Sequence, residues 1–87
     1  MNIEIVWSNI KRHEGETFRT ITGIEYEYVG YTDYLLVNDL KSRKVTKSMV
    51  EKAIALANPT PRKIELEGCR GPSYIWGIIT DQRIRCS

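Results

Sequence analysis

Apolar residues at the start of the chain recur with the spacing of an amphipathic helix. The positions i, i+3, i+4 and i+7 are occupied by Ile3, Val6, Trp7 and Ile10. The basic run at residues 11–13 suits the negative end of a helix dipole, and Gly15 can end the helix. The pattern therefore predicts a first helix over residues 3–13. Every second residue from 3 to 7 is also apolar, which leaves a strand as the alternative.

Between residues 16 and 37 the period changes to two. Strand-forming runs, rich in Tyr, Thr, Ile and Val, occupy residues 18–22, 24–28 and 34–37. Gly23 and residues 30–33 supply the turns between them. We predict a three-stranded antiparallel meander. Its tyrosines offer a stacking surface for bases, and the competing interpretation is a sheet with one packed face and one solvated face.

The next helical pattern covers residues 46–57. Its apolar stripe consists of Val50, Ala53, Ile54 and Ala57. Two residues compete for the N-cap: Thr46, with a hydrophobic staple, and Ser48, with a capping box. Asn58-Pro59 ends the helix. Residues 62–67 then alternate long enough to predict a short strand.

The dipeptide Gly71-Pro72 is typical of a helix start. Pro is favoured at the first helical position because its missing N–H would have no partner there. One wide apolar face follows, made of Ile75, Trp76, Ile78 and Ile79. We predict a final helix over residues 72–81.

These elements predict an α+β fold in a single domain spanning residues 1–87. A three-stranded antiparallel meander packs against two or three helices, in the order α-β-β-β-α-(β)-α. The expected core includes Trp7, Phe18, Ile54, Ile75 and Ile79. A domain of 87 residues buries only about 60 to 65% of its unfolded surface, so we expect a homo-oligomer.

Charge divides the chain into two unequal halves. Residues 1–40 carry three basic and seven acidic side chains, whereas residues 41–87 carry ten basic and four acidic ones. The net charge is only +2. A protein that covers a long duplex is usually more basic, so this distribution favours a small anionic ligand or a few phosphate contacts.

No catalytic or metal-binding signature is recognisable. The serines and the two cysteines, Cys69 and Cys86, lack a base or a metal ligand at suitable spacing, so we predict neither an enzyme nor a cofactor or metal. Both cysteines are expected to be reduced. No apolar run approaches the ~20 residues of a membrane span, and residues 1–4 do not resemble a secretory signal. These features predict a cytoplasmic protein without a membrane partner.

Basic residues lie near two predicted helix starts, where the positive end of the dipole favours an anion. At the last helix, we expect the N–H groups of Ser73 and Tyr74 to point outward beside Arg70. The ring of Tyr74 or Trp76 would stack on a base. The predicted ligand-binding residues are Arg70, Gly71, Ser73, Tyr74, Trp76, Arg43, Lys47 and Arg83. Two competing interpretations involve no ligand. The last helix would simply pack on the core, and the basic residues near the second helix would be solvated surface charges.

Three segments carry a resemblance to a protein family. They are residues 70–84 (RGPSYIWGIITDQRI), 15–23 (GETFRTITG) and 50–53 (VEKA). In these segments the chain resembles a group of small uncharacterised proteins of Gram-positive bacteria and their phages. The resemblance spans most of the chain and implies a small accessory protein of phage origin that acts by binding. It carries over no functional residue.

The sequence thus predicts a non-enzymatic binder of a phosphate-bearing nucleotide ligand, either a small nucleotide signal or a short nucleic acid. In a phage, such a protein would sequester a nucleotide signal of host defence. The alternative is a protein–protein interaction module that inhibits a host protein through exposed Tyr and Trp side chains.

Overall fold

The computed structural model describes residues 2–37, 44–69 and 71–85. Its elements are α1 (Ile3–Arg12), β1 (Phe18–Arg19), β2 (Glu25–Tyr26), β3 (Tyr28–Gly30), β4 (Tyr34–Val37), β5 (Lys44–Thr46), α2 (Lys47–Ile54), α3 (Pro61–Leu66), α4 (Pro72–Ile79) and α5 (Gln82–Arg85). Helices and small antiparallel sheets combine into an α+β fold, which is the predicted class.

Helix α1 confirms the helical interpretation of the N-terminal pattern. Asn2 caps it, because its side-chain oxygen accepts hydrogen bonds from the N–H groups of Glu4 at 2.7 Å and Ile5 at 3.4 Å. The predicted apolar face is buried at Val6, Trp7 and Ile10. The helix ends at Arg12, one residue before the predicted boundary.

The strands form two sheets rather than one meander. β1 pairs with β2, while β3, β4 and β5 form a separate three-stranded antiparallel sheet. The predicted strand at residues 24–28 is divided between them, because its first half pairs with β1 and Tyr28 pairs with Val37. The third strand of the larger sheet is Lys44–Thr46, a strand that the sequence did not predict.

Helix α2 follows β5 without a loop. The Thr46 hydroxyl accepts the Met49 N–H at 3.2 Å, so Thr46 rather than Ser48 is the N-cap. The helix ends at Ile54, earlier than predicted. Just beyond it, the carbonyl oxygens of residues 57 and 58 accept hydrogen bonds from Lys63 Nζ, at 3.3 and 3.2 Å.

The predicted strand at residues 62–67 is wrong, because Pro61–Leu66 forms helix α3. The Thr60 hydroxyl accepts the Lys63 N–H at 3.2 Å, and Pro61 occupies the first helical turn. Only Ile64 of this helix is buried, while Leu66 is 71% exposed. The alternating apolar positions therefore lie on different sides of a short helix.

Helix α4 begins at Pro72 as predicted, after Gly71 in a left-handed conformation with φ of 62°. It ends at Ile79, and the short helix α5 follows. Gly77 lies against β1, where a Cβ atom would overlap the Arg19 carbonyl oxygen and come within 2.5 Å of Tyr26 Oη. The close approach of α4 to this strand therefore requires glycine.

Three aromatic side chains tie strands and turns to helices. Tyr28 Oη donates to the Ile10 carbonyl and Tyr26 Oη to the Tyr74 carbonyl, both at 2.6 Å. Trp7 Nε1 donates to the Tyr31 carbonyl at 3.1 Å. Burial raises the pKa of both tyrosine hydroxyls, so both stay protonated and able to donate.

Four of the five predicted core residues are buried, namely Trp7, Phe18, Ile75 and Ile79. Ile54 is only partly buried and packs against the edge of the core, because α2 buries Val50 and Ala53 instead. Among the residues described, no helix has the length and apolar character needed to cross a membrane.

Candidate functional site

At the start of α4, the centre of the predicted anion site, one of the two expected N–H donors is occupied by an internal contact. The N–H groups of Tyr74 and Ile75 both donate to the Gly71 carbonyl, at 3.0 and 3.1 Å. The Tyr74 N–H is therefore not free for an anion, contrary to our expectation. The Tyr74 ring meets Tyr26 edge-on, with 4.9 Å between centroids. Arg70 lies outside the described residues.

Arg83 uses four of its five N–H groups in contacts that hold the fold together. Its guanidinium donates to both carboxylate oxygens of Asp81, to Glu16 at 2.9 Å and to the Thr17 carbonyl at 2.8 Å. It also lies 3.9 Å from the centroid of the Phe18 ring. These contacts connect α5 to the segment before β1. Arg83 is thus a structural arginine rather than a free ligand donor.

This network shifts the pKa of its acidic members. Hydrogen bonds from Arg83 lower the pKa of Asp81. His13 and Arg83 both hydrogen-bond Glu16 and lower its pKa, with His13 making the larger contribution. The same carboxylates raise the pKa of Arg83, which stays charged. The arrangement stabilises the charged forms of Asp81, Glu16 and Arg83.

Lys47 is also paired within the protein. Its Nζ donates to both carboxylate oxygens of Glu4 on α1, and its backbone N–H donates to the Asp33 carbonyl at 2.8 Å. Arg43 lies outside the described residues. Trp76 and Arg83 line one cleft of about 430 Å³ beside β1, whereas Lys47 is bound to α1. The described members of the predicted set therefore do not form one site.

A different surface, for which the sequence analysis considered only the tyrosines as a stacking surface for bases, combines aromatic, apolar and basic groups. In the register of the three-stranded sheet, Val29 is opposite Leu36, and Leu36 is opposite Lys44. Paired residues share a face, and these alternate with the buried residues Tyr28, Leu35 and Val45. We call the outer set, Val29, Tyr31, Tyr34, Leu36 and Lys44, the tyrosine face.

Two tyrosines dominate the tyrosine face. The rings of Tyr31 and Tyr34 stack with 4.7 Å between centroids and 19° between planes. Lys44 Nζ lies 4.6 Å from the Tyr34 centroid, within the range of a cation–π contact. Tyr31 is 42% exposed and Val29 is 49% exposed.

A cleft of about 280 Å³ borders the tyrosine face. Its lining residues are Gly15, Glu27, Tyr28, Val29, Tyr31, Leu36 and Val37. Most of this wall is apolar or aromatic, as is usual for pockets that accept small organic groups. The Tyr31 ring forms part of the wall, so a planar group in the cleft would lie beside an aromatic surface.

Cysteine and metal chemistry have little support in the described part of the chain. Cys69 is a buried free thiol whose Sγ donates to the Met49 carbonyl at 3.5 Å, and burial raises its pKa. Cys86 lies outside the described residues. Residues 2–37, 44–69 and 71–85 contain no group of His, Cys, Asp and Glu side chains suited to a metal ion.

Comparison with protein-family models finds no match, and neither curated proteins nor solved structures match the chain.

Proposed function

We propose that this protein is a non-enzymatic binder of a phosphate-bearing nucleotide ligand, and that the tyrosine face receives the ligand. The observation that carries the proposal is the stack of exposed Tyr31 on half-buried Tyr34, with Lys44 beside it. A base contributes about 1 to 3 kcal/mol when it stacks on an aromatic side chain. A lysine supplies the point charge that phosphates require.

The position of the surface supports the proposal. Tyr26 and Tyr28 are buried and serve the core, whereas Tyr31 is 42% exposed although its carbonyl is fixed by Trp7. A ring on an anchored backbone loses little conformational entropy when a ligand stacks on it. Lys44 makes its cation–π contact without an opposing carboxylate among the described residues. Its charge is therefore available to a phosphate.

In the setting that the family resemblance implies, the ligand would be a nucleotide signal of host defence, sequestered in the cytoplasm of the bacterial host. Self-association belongs to the same proposal, because the clefts described above are open to solvent and two copies would enclose more of a ligand.

The experiment is a binding titration with nucleotides, cyclic dinucleotides, short DNA and short RNA at two salt concentrations. We expect at least one of these ligands to bind, with an affinity that falls as salt rises. Tyr31→Ala should weaken that binding about tenfold, while Tyr31→Phe, which keeps the ring, should preserve it. Absence of binding across the whole panel would refute the proposal.

A protein partner is the second candidate, and the two tyrosines of the tyrosine face favour it. Tyrosine is a typical hot-spot residue, and half-exposed Val29 beside Leu36 extends the apolar surface around the two rings. Under this alternative, the protein would inhibit a host protein. The same titration separates the two candidates, because a protein-binding surface would not respond to nucleotides.

A further inference from the structure

The cleft beside the tyrosine face has one charged side chain in its wall. Val29, Tyr31 and Leu36 of the tyrosine face line it, and Glu27 is the only charged residue among the described residues that do so. Its volume of about 280 Å³ is near the lower end of the range for ligand pockets, so a base that enters it lies close to every wall. A base beside the Tyr31 ring is therefore also beside Glu27.

The burial pattern fixes the direction of the Glu27 side chain. Tyr26 and Tyr28 are buried, whereas Glu25, Glu27 and Val29 are exposed. Side chains alternate between the two sides of an extended chain, so Glu27 projects to the same side as Val29 and away from the core. The carboxylate of Glu27 is thus on the side of the sheet that carries the tyrosine face.

A carboxylate accepts hydrogen bonds and donates none, which restricts the bases that it can bind. Guanine presents two adjacent donors to it, N1–H and the 2-amino group. Adenine and cytosine present one amino group beside a ring nitrogen that accepts, and the N3–H of uracil or thymine lies between two carbonyl oxygens, which a carboxylate repels. The two oxygens of Glu27 offer about four acceptor positions, so it can bind a base while it keeps its interaction within the protein.

We infer that the cleft selects guanine, with the base beside Tyr31 and its N1–H and 2-amino group donating to the Glu27 carboxylate. The negative charge of Glu27 repels phosphate, so the base rather than the phosphate enters the cleft. This inference rests on the proposed function, which leaves the base open, and it makes Glu27 the residue that determines specificity. It applies equally to a mononucleotide, a cyclic dinucleotide and a nucleotide within a strand.

The test compares the affinities of guanosine, inosine and adenosine monophosphate for the unaltered chain and for the variants Glu27→Gln and Glu65→Gln. Inosine lacks only the 2-amino group of guanosine. Glu65 is an exposed glutamate on α3, outside the cleft, and provides the matched loss of a carboxylate. Circular dichroism and thermal unfolding of each variant establish that it is folded, and the comparison of the three nucleotides on the unaltered chain requires no variant.

We expect guanosine monophosphate to bind about tenfold more tightly than inosine monophosphate, because it makes one more charge-assisted hydrogen bond. Adenosine monophosphate, with one donor beside an acceptor, should bind at least about tenfold more weakly than guanosine monophosphate. Glu27→Gln should remove most of both differences, because a glutamine amide offers a donor as well as an acceptor and also pairs with adenine. Glu65→Gln should leave both differences unchanged.

Equal affinities of the three nucleotides for the unaltered chain would overturn this inference but not the proposed function. A preference for guanosine that survives Glu27→Gln, or an equal change in all three affinities in that variant, would do the same. Failure of all three nucleotides to bind would overturn this inference, and silence across the wider nucleotide panel would overturn the function too.

Discussion

Substitution of Gly77 by alanine tests how closely α4 packs on β1. An added methyl group would overlap the Arg19 carbonyl oxygen and lie 2.5 Å from Tyr26 Oη. Overpacking of this kind costs about 1 to 3 kcal/mol. Displacement of the Tyr26 hydroxyl from the Tyr74 carbonyl would cost about 1 kcal/mol more. Alanine offsets about 1 kcal/mol of this through its higher helix propensity.

We therefore expect Gly77→Ala to lower the free energy of unfolding by about 1 to 3 kcal/mol. For a domain of this size, each kcal/mol lowers Tm by about 4 to 8 °C. Urea unfolding followed by the fluorescence of Trp7 and Trp76 measures the change. Adding Tyr26→Phe to the Gly77→Ala variant removes one of the two clashing oxygens. It should restore only part of the lost free energy of unfolding, because the Arg19 carbonyl belongs to the backbone and cannot rotate away.

Gly30→Ala is the matched control. The nearest heavy atom to a Cβ there is Cγ of the flexible Lys11 side chain, at 3.4 Å, and the backbone is not left-handed. Alanine also reduces the entropy of the unfolded chain, so this variant should be neutral or more stable by up to about 1 kcal/mol. An unchanged or raised urea midpoint for Gly77→Ala would refute the packing of α4 on β1 described above.

Three further predictions concern capping, pH and assembly. Thr46→Ala should cost about 1 kcal/mol in urea unfolding while Ser48→Ala costs almost nothing, and the reverse order would contradict the Thr46 cap. Asp81 and Glu16 have lowered pKa values in the folded state, so their stabilisation is present at neutral pH and is lost as pH falls below about 4. Arg83→Met should flatten that acid dependence, and an undiminished loss of stability at pH 3 would count against the network. Sedimentation equilibrium should detect self-association at high micromolar concentration, and a monomer throughout that range would remove the expectation.

Elements were predicted correctly where several local features of the sequence, such as apolar period and end residues, indicate the same structure. Helix α1 has a helical apolar period and basic residues at its end, and α4 has Pro72 at its first position; both helices are present. Helix α3 was missed although Thr60-Pro61 is itself a capping signal, because six alternating residues favoured a strand. In this short segment the Thr60 cap and Pro61 at the first turn act together with the burial of Ile64.

The site was less predictable because its geometry depends on long-range pairing. The strand Lys44–Thr46 has only three residues, too few for a recognisable alternation, yet it brings Lys44 beside Tyr34. Single-sequence reasoning also could not place Glu16 against Arg83, 67 residues away. The alternating positions of Tyr34 and Leu36 were the available signal, but which face they occupy is fixed only by the register with β5.

Chemical-shift mapping of the folded protein during titration with guanosine monophosphate tests the central claim most directly. If a base stacks on Tyr31, ring-current shifts should be largest at Tyr31 and its neighbours Val29 and Tyr34, while Lys44 should shift through its contact with phosphate. Gly71 and Ser73, at the start of α4, should shift little. Perturbation confined to Gly71 and Ser73, with the tyrosine face unchanged, would contradict the assignment of the ligand to this surface.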